Sequence, residues 1–196
     1  MPEKRPPIDA HGASLADLAA AIEARGGPPP VDRWHPTHCG DSEMRIARDG
    51  TWYHQGTPIA RPAMVRLFAT VLRREPDGSH VLVTPVEKLA IEVERTAFRA
   101  TQMIMSGEGR ARRIGLTLDS GDALFVGPDH PLTMLATPGG PSPRVAVRFG
   151  LEAELARPLY YELAEIALAE DPNNPKGSPP GVWSDGRFFA LAMSQP

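Results

Sequence analysis

The stretch EMRIARDGTWYHQGTPI, residues 43–59, carries the strongest indication of how the chain folds. It places Asp49-Gly50 between two runs rich in apolar and aromatic residues, which is a strong signal for a β-hairpin. A two-residue turn would put Arg45 opposite His54 and group both with Trp52 on one face. A three-residue bulged loop would shift this pairing, so the sequence leaves two registers open.

A helix and a long series of strands are predicted after this hairpin. Pro62 suits the first turn of a helix over residues 62–74, whose buried face includes Phe68. A second helix is expected at 155–170, where Pro158 marks its first turn or a kink. Strands spaced as in an antiparallel meander or barrel are expected at 80–84, 88–94, 98–105, 113–118, 123–126, 132–136 and 144–149.

Proline and glycine residues divide the chain into three parts. Residues 1–33 are expected to form an arm, with a short amphipathic helix from Ser14 and a stiff connector at Pro28-Pro29-Pro30. Residues 34–95 are expected to form an N-terminal half, and residues 96–196 a C-terminal half that is richer in strands. Because each half would combine antiparallel sheet with a helix, the predicted fold class is α+β.

A repeated pattern suggests that the two halves are related. The runs RDGTWY at 48–53 and SDGRFF at 184–189 each contain Asp-Gly followed by one polar and two aromatic residues. Each run lies next to a predicted helix of similar length. Because Asp-Gly hairpins are common, the pattern predicts duplication without excluding two unrelated hairpins.

The composition is that of a globular protein of 196 residues, with 41% hydrophobic and 23% charged residues. The net charge of −3 provides no overall field that would attract nucleic acid or anionic lipid, so any basic site must be local. The single cysteine, Cys39, excludes an internal disulfide framework. The first residues lack a signal-peptide pattern, and no apolar run could span a bilayer. We therefore expect a soluble cytoplasmic protein without a membrane partner, as a monomer or homo-oligomer.

Several motifs occur in the order that characterises one bacterial family. They are Cys39-Gly40-Asp41, MRIARDGTW at 44–52, Pro58-Ile59-Ala60-Arg61, LVTPVEK at 82–88, and Gly181-Val182-Trp183-Ser184 with Phe188-Phe189. With these motifs the chain resembles the bacterial domain of unknown function family 1285 over residues 34–192. The resemblance implies two related halves, the second loosely like a pleckstrin-homology barrel with its capping helix. It also implies a binding site between the halves and a part in signalling, and it brings no catalytic residues.

A group of polar and aromatic residues around the first sheet is the most suggestive candidate site. Trp52 would form an aromatic wall, while Arg45, Arg61 and Lys88 would supply cationic contacts. The alternative interpretation places Trp52 in the core and Lys88 in a solvated turn. The predicted ligand-binding set is Arg45, Trp52, His54, Arg61, Thr84, Glu87 and Lys88.

The segment from His35 to Asp41 contains residue types that bind metals or act as nucleophiles. His35, His38 and Cys39 could coordinate a divalent cation. The prolines keep the segment extended and no second ligand pair follows, so we predict no metal and no cofactor. Cys39 could act as a nucleophile with His54 as its base, although no local signal marks an activated thiol.

A second basic segment has two glycines followed by three arginines. Gly107 and Gly109 precede Arg110, Arg112 and Arg113, which could hold a phosphate or an acidic peptide. The segment lacks a Walker or dinucleotide pattern and joins two predicted strands, so a charged hairpin tip is the competing interpretation.

The absence of a catalytic motif favours a non-enzymatic module that binds a small molecule, peptide or protein between its halves, with a part in signal transduction. One alternative is an enzyme of unknown reaction type that uses Cys39 or the histidine-rich segment, and stoichiometric metal or an unusually reactive thiol would favour it. Another is a nucleic-acid binder that combines the loop of Arg110, Arg112 and Arg113 with aromatic platforms. Steep loss of binding with salt would favour that alternative.

Overall fold

The protein is built mostly of β-strands. The computed structural model describes residues 29–170 and 179–191. Strands take up 48% of the described residues and helices 19%. The expected α+β class is therefore wrong, because two six-stranded sheets form the framework and the helices are additions to it. The helix expected from Ser14 lies outside the described residues.

The first unit is a six-stranded mixed sheet. Its strands are β1 (His38–Ile46), β2 (Trp52–His54), β3 (Thr57–Pro58), β4 (Leu72–Arg74), β5 (His80–Val83) and β6 (Glu87–Val93). They lie in the order β3-β2-β1-β6-β5-β4. The central strands β1 and β6 are parallel, and the other neighbouring pairs are antiparallel.

The hairpin between β1 and β2 has the three-residue loop Arg48-Asp49-Gly50. Ile46 pairs with Trp52, and Arg45 pairs with Tyr53. Gly50 has a φ of 89°, in the left-handed region that the bulged loop requires of its last residue. The register of a two-residue turn is therefore wrong. Because neighbouring positions of a strand face opposite sides, Arg45 and Trp52 lie on opposite faces of the sheet.

Helix α1 (Pro62–Thr70) connects β3 with β4 and is shorter than predicted. Pro62 occupies its first turn, as the sequence predicts. The predicted continuation to residue 74 is wrong, because β4 is an edge strand that pairs with β5. The backbone N–H of Arg74 also donates to the carbonyl oxygen of Phe149 at 3.0 Å. Pairing with both units thus outweighs helical propensity at these residues.

The second unit is another six-stranded mixed sheet, followed by a helix and a hairpin. Its strands are β7 (Phe98–Ser106), β8 (Arg113–Leu118), β9 (Ala123–Val126), β10 (Leu132–Thr137), β11 (Gly140–Arg148) and β12 (Leu151–Leu155). Helix α2 (Arg157–Glu170) and the hairpin of β13 (Gly181–Ser184) and β14 (Arg187–Ala190) come next. The sheet order is β10-β11-β12-β7-β8-β9, with β7 and β12 parallel at its centre. None of the helices in the described residues has the length and apolar character needed to cross a membrane.

The two units share one topology. If the strands of each unit are numbered from one to six, both sheets have the order 3-2-1-6-5-4 with a parallel pair at the centre. This fits two related halves. The helix is not part of the repeat, since α1 follows the third strand of the first unit and α2 follows the sixth strand of the second. The runs at 48–53 and 184–189 are not equivalent either, because the second run lies beyond the repeated strands.

The second sheet does not form the expected barrel of pleckstrin-homology type. Strands β9 and β10 are the two edges of the sheet and do not pair with each other. The hairpin of β13 and β14 contacts both edges instead. Ser184 Oγ donates to the carbonyl oxygen of Val126 in β9 at 2.6 Å, and β14 lies against β10.

Buried side chains of both units form one hydrophobic core. Ile46 and Trp52 of the first unit belong to the same cluster as Phe98 and Leu151 of the second. A hydrogen bond also crosses between the units, from Nη2 of Arg148 to a carbonyl oxygen in α1 at 3.0 Å. The two sheets are therefore held in a fixed relation, and a cavity between them has walls of defined position.

Candidate functional site

An open pocket with a volume of about 580 Å³ lies where the two units meet. This volume falls within the range of small-molecule binding sites. The first unit contributes its first hairpin loop and a residue that follows its last strand. The second unit contributes the rest of the wall. The lining residues are Arg48, Asp49, Arg95, Arg99, Gly139, Pro141, Pro143, Glu154, Leu155, Ala156, Arg157, Tyr160 and Tyr161.

The loop with Arg48 and Asp49 reaches the pocket because Gly50 lies directly against the second unit. A Cβ atom at Gly50 would be 2.7 Å from Oδ2 of Asp119 and 3.2 Å from the side chain of Arg99. The positive φ of Gly50 already disfavours other residues. Glycine thus permits both the bulged loop and the close approach of the two units.

Arg99 on β7 holds this loop in place. Its Nη1 donates to the carbonyl oxygen of Asp49 at 2.7 Å, and its backbone N–H donates to Oδ1 of Asp119 at 3.1 Å. Surrounding protein atoms displace water from the Asp119 carboxyl, and this desolvation raises its pKa to about 6 against the opposing effect of its hydrogen bonds. A titratable group therefore lies at the contact between the units, next to the pocket wall.

The pocket has an excess of positive charge, with four arginines and two carboxylates in its wall. Arg95 and Glu154 neutralise each other, with 2.7 Å between Nη2 and Oε1. Within the described part of the chain, the side chains of Arg48 and Arg157 form no ion pair or hydrogen bond. The Asp49 carboxylate accepts a hydrogen bond from the N–H of the residue two positions on, which lowers its pKa. Two guanidinium groups thus remain available to a ligand.

Several other lining residues are apolar or aromatic. Pro141 and Pro143 come from β11, and α2 contributes Tyr160 and Tyr161, whose ring centroids are 5.8 Å apart. Space remains beside Gly139, where an added Cβ would meet one atom within 4 Å, a threonine oxygen at 3.8 Å. The pocket can therefore accommodate the apolar or aromatic part of a ligand.

The structure places the sequence-predicted ligand set elsewhere in the first unit, and none of its seven residues is among those that line the pocket. Trp52 is a core residue, 4% exposed, with its ring stacked on Phe68 at a centroid distance of 6.4 Å. Arg45 is on the opposite face, where it pairs with Glu94 and lies 4.4 Å above the Tyr53 ring. Trp52 and Arg45 are therefore not brought together.

Of the other five residues of that set, four lie at hairpin ends, and Arg61 directly precedes the first turn of α1. His54 and Arg61 are exposed. Lys88 Nζ lies 3.5 Å from Oε2 of Glu75, and Oγ1 of Thr84 accepts the backbone N–H of Glu87 at 3.2 Å, which closes a turn. Glu87 and Lys88 are half-buried, so neither side chain is freely solvated at this turn. The seven residues remain a prediction of ligand contacts, separate from the pocket.

The residues behind the enzyme alternative are dispersed. Cys39 is exposed and pairs across the sheet with Lys88, whereas His54 pairs with Met44 further along β1. In the described residues, no three His, Cys, Asp or Glu side chains lie close enough together to hold a metal ion. The pairing does not bring Cys39 and His54 opposite each other.

The three arginines of the second basic segment have structural partners. Arg112 is 6% exposed and donates to Glu170 at the end of α2, with 2.7 Å from Nη1 to Oε2. Arg110 stacks over Trp183 at 4.6 Å, and Arg113 stacks over Phe125 at 4.2 Å. These contacts fit a stabilised hairpin tip.

The sequence predicts a site between the halves, but it does not identify the residues that line this pocket, because they are distant along the chain. Arg48 and Asp49 lie in the loop that the sequence did identify, but Arg99 and Arg157 carry no recognisable spacing. The one local signal on the other wall is the glycine- and proline-rich run TPGGPSP at 137–143. Only the sheet pairings bring these segments together.

Fold and pocket define a class of protein with two repeated mixed-sheet units and a cationic cavity between them. Two family models match the chain: Domain of unknown function (DUF1285), N-terminal domain, at residues 29–96, and Protein of unknown function (DUF1285), C-terminal domain, at residues 97–191. The chain belongs to the DUF1285 family, as the sequence motifs predict. No curated protein matches it.

Two solved structures are similar to this chain. A DUF1285 family protein from Silicibacter pomeroyi DSS-3 has 43% sequence identity and a TM-score of 0.77, and the match covers 90% of this chain and 94% of that one. A DUF1285 family protein from Shewanella baltica OS155 has 23% identity and a TM-score of 0.50, with 66% and 96% covered. At that identity the second match supports the fold alone.

Proposed function

We propose that this protein is a non-enzymatic binding module that takes a small molecule or short peptide into the pocket between its two units. The observation that carries the proposal is the composition of the wall, to which both units contribute charged residues. The contact of Gly50 with Asp119 and Arg99 supports it further, because it holds the wall in position before a ligand arrives. A pre-formed site reduces the entropic cost of binding.

The proposal includes a part in bacterial signal transduction. A ligand that contacts Arg48 on one unit and Arg157 on the other would neutralise the two free guanidinium groups of the pocket wall. A partner protein that recognises this change in surface charge would then respond to the ligand. The cytoplasm remains the predicted location.

Gly139 offers a direct test, because it lines the pocket and we expect a large side chain there to occupy part of it. Its φ lies outside the left-handed region and the space beside it is open, so we expect Gly139→Trp to fold. The measurement is a thermal-shift screen against nucleotides, acidic metabolites and short peptides. A ligand at one hundred times its dissociation constant stabilises the folded state by about 2.7 kcal/mol.

The matched control is Gly139→Ala, which adds one methyl group at the same position. We expect ligand stabilisation in the wild type and in Gly139→Ala, and its loss in Gly139→Trp. A ligand that stabilises all three proteins equally would contradict binding in this pocket.

A further inference from the structure

Among the described residues, the two arginines of the pocket wall that form no ion pair or hydrogen bond come from different units. Arg48 belongs to the first hairpin loop, and Arg157 is the first residue of α2. The other two arginines of the wall have partners, since Arg95 pairs with Glu154 and Arg99 donates to the carbonyl oxygen of Asp49. The structure thus separates two arginines that maintain the wall from two that are free to bind.

Guanidinium groups select the chemistry of the ligand. Arginine has five N–H donors in a planar fork that matches phosphate and carboxylate groups, and it remains charged throughout the physiological pH range. Solvation by water alone is the usual state of an isolated surface arginine. Here, both free side chains line one cavity, and its carboxylates, Glu154 and Asp49, are already hydrogen-bonded.

The tyrosines and prolines of the wall determine which non-ionic group of a ligand fits the pocket. Tyr160 and Tyr161 lie side by side at an interplanar angle of 39°, and Pro141 and Pro143 line the same pocket. Proline and tyrosine rings pack well against flat apolar groups. A ligand that has both a flat ring and an anionic group could therefore contact the tyrosines and the free arginines at the same time.

We propose that the ligand of this pocket is a small anionic molecule in which a phosphate or carboxylate group, held by Arg48 and Arg157, is attached to an aromatic ring that packs against the tyrosines. This inference rests on the proposed function, because it names the ligand class of the same pocket.

Matched pairs of probes separate the charge from the ring. Benzoate and benzamide have nearly the same shape, and adenosine 5′-monophosphate differs from adenosine by its phosphate. Each is titrated into the isotopically labelled full chain, and backbone amide shifts are followed by NMR at constant ionic strength. We expect each anion to bind with a dissociation constant of about 1 mM or tighter, and at least tenfold more tightly than its neutral partner. Within each pair the ring is the same, so the ratio of the two dissociation constants reports the effect of the anionic group.

Substitutions then assign the binding to the two arginines. We expect Arg48→Gln and Arg157→Gln each to weaken anion binding about tenfold, because each removes a charge-assisted contact. Arg66→Gln on α1, outside the pocket, is the matched control and should leave binding unchanged. Equal binding of charged and neutral probes would overturn the inference. So would unchanged anion binding in both pocket variants, or no anion binding at about 20 mM, well above the expected dissociation constant.

The Gly139→Trp variant distinguishes an error in the ligand class from an error in the location of the binding site. If it blocks the neutral and charged probes alike, and charge has no effect, the pocket binds ligands but the anionic class is wrong. If probes bind equally well to Gly139→Trp, the pocket itself is not the binding site.

Discussion

The side chain of Arg99 donates a hydrogen bond of 2.7 Å to the backbone carbonyl oxygen of Asp49, so the second unit directly holds the hairpin loop of the first. The same loop forms one wall of the pocket. The contact between the units and the candidate site therefore share residues. A substitution that weakens the contact should also alter ligand binding in the pocket.

Replacing Arg99 with methionine should weaken the contact between the units. The substitution removes the hydrogen bond to the Asp49 carbonyl oxygen, and we expect the free energy of unfolding to fall by about 1 kcal/mol. Urea denaturation followed by circular dichroism measures the change. Arg66→Met, on α1, serves as the control, and an equal loss in both variants would argue against a specific role of Arg99.

Replacing Trp52 with alanine should be severely destabilising. The side chain is 4% exposed and stacks on Phe68, and truncation of a buried Trp costs about 3–5 kcal/mol. Tyr53→Ala changes the next residue, which is half-buried on the other face, and should cost much less. Melting temperatures of the two variants compare the sites. If Trp52→Ala melted like the wild type, Trp52 would not be a core residue.

Asp119 should make the protein less stable as pH rises, which is the opposite of the usual effect of a carboxylate whose pKa is lowered by folding. Its pKa is about 6 in the folded protein and about 3.8 in the unfolded chain, so the folded state holds its proton more tightly. The contribution of Asp119 to stability should therefore decrease as pH rises from 3.8 to 6 and stay constant above that range. The test is the difference in unfolding free energy between wild type and Asp119→Asn at several pH values. A difference that moves in favour of the wild type with rising pH would contradict the assignment.

Glu170 should stabilise the end of α2 at neutral pH. It pairs with the buried Arg112 and accepts the N–H of Gly109 at 3.1 Å, and the hydrogen bond from Arg112 lowers its pKa. Because the folded-state pKa is depressed, this stabilisation is present above the ordinary value of 4.5 and is lost as pH falls. We expect Glu170→Gln to cost about 1–3 kcal/mol at pH 7 in urea denaturation, since Arg112 loses its charged partner. Glu165→Gln, exposed on the same helix, should be nearly neutral.

The sequence predicts local structure well where its signals are local. The hairpin around Asp49-Gly50, the start of α1 at Pro62, and strand β8 at 113–118 occur where the patterns place them. The predicted α+β class is wrong because each unit is a six-stranded sheet and the helices lie outside the repeated strands. Strand β12 was missed because the Leu151–Leu155 segment alternates only briefly before the helical pattern begins.

Properties that depend on distant pairing could not be predicted. The parallel pairs β1–β6 and β7–β12 join segments more than forty residues apart, and no local pattern distinguishes them from antiparallel neighbours. The pocket depends on those pairings, so the residues that line it could not be identified from the sequence. Trp52 was ambiguous for a related reason, since one residue of register decides which face of a strand is buried.

The central claim is that a ligand binds between the two units, and chemical-shift mapping with adenosine 5′-monophosphate tests it most directly. With backbone amides assigned, we expect the largest shift changes at Arg48 and Asp49 in the first unit and at Arg157 and Tyr160 in the second, at the same ligand concentration. Shift changes confined to one unit, or centred on Arg110 and Trp183, would contradict a site between the units.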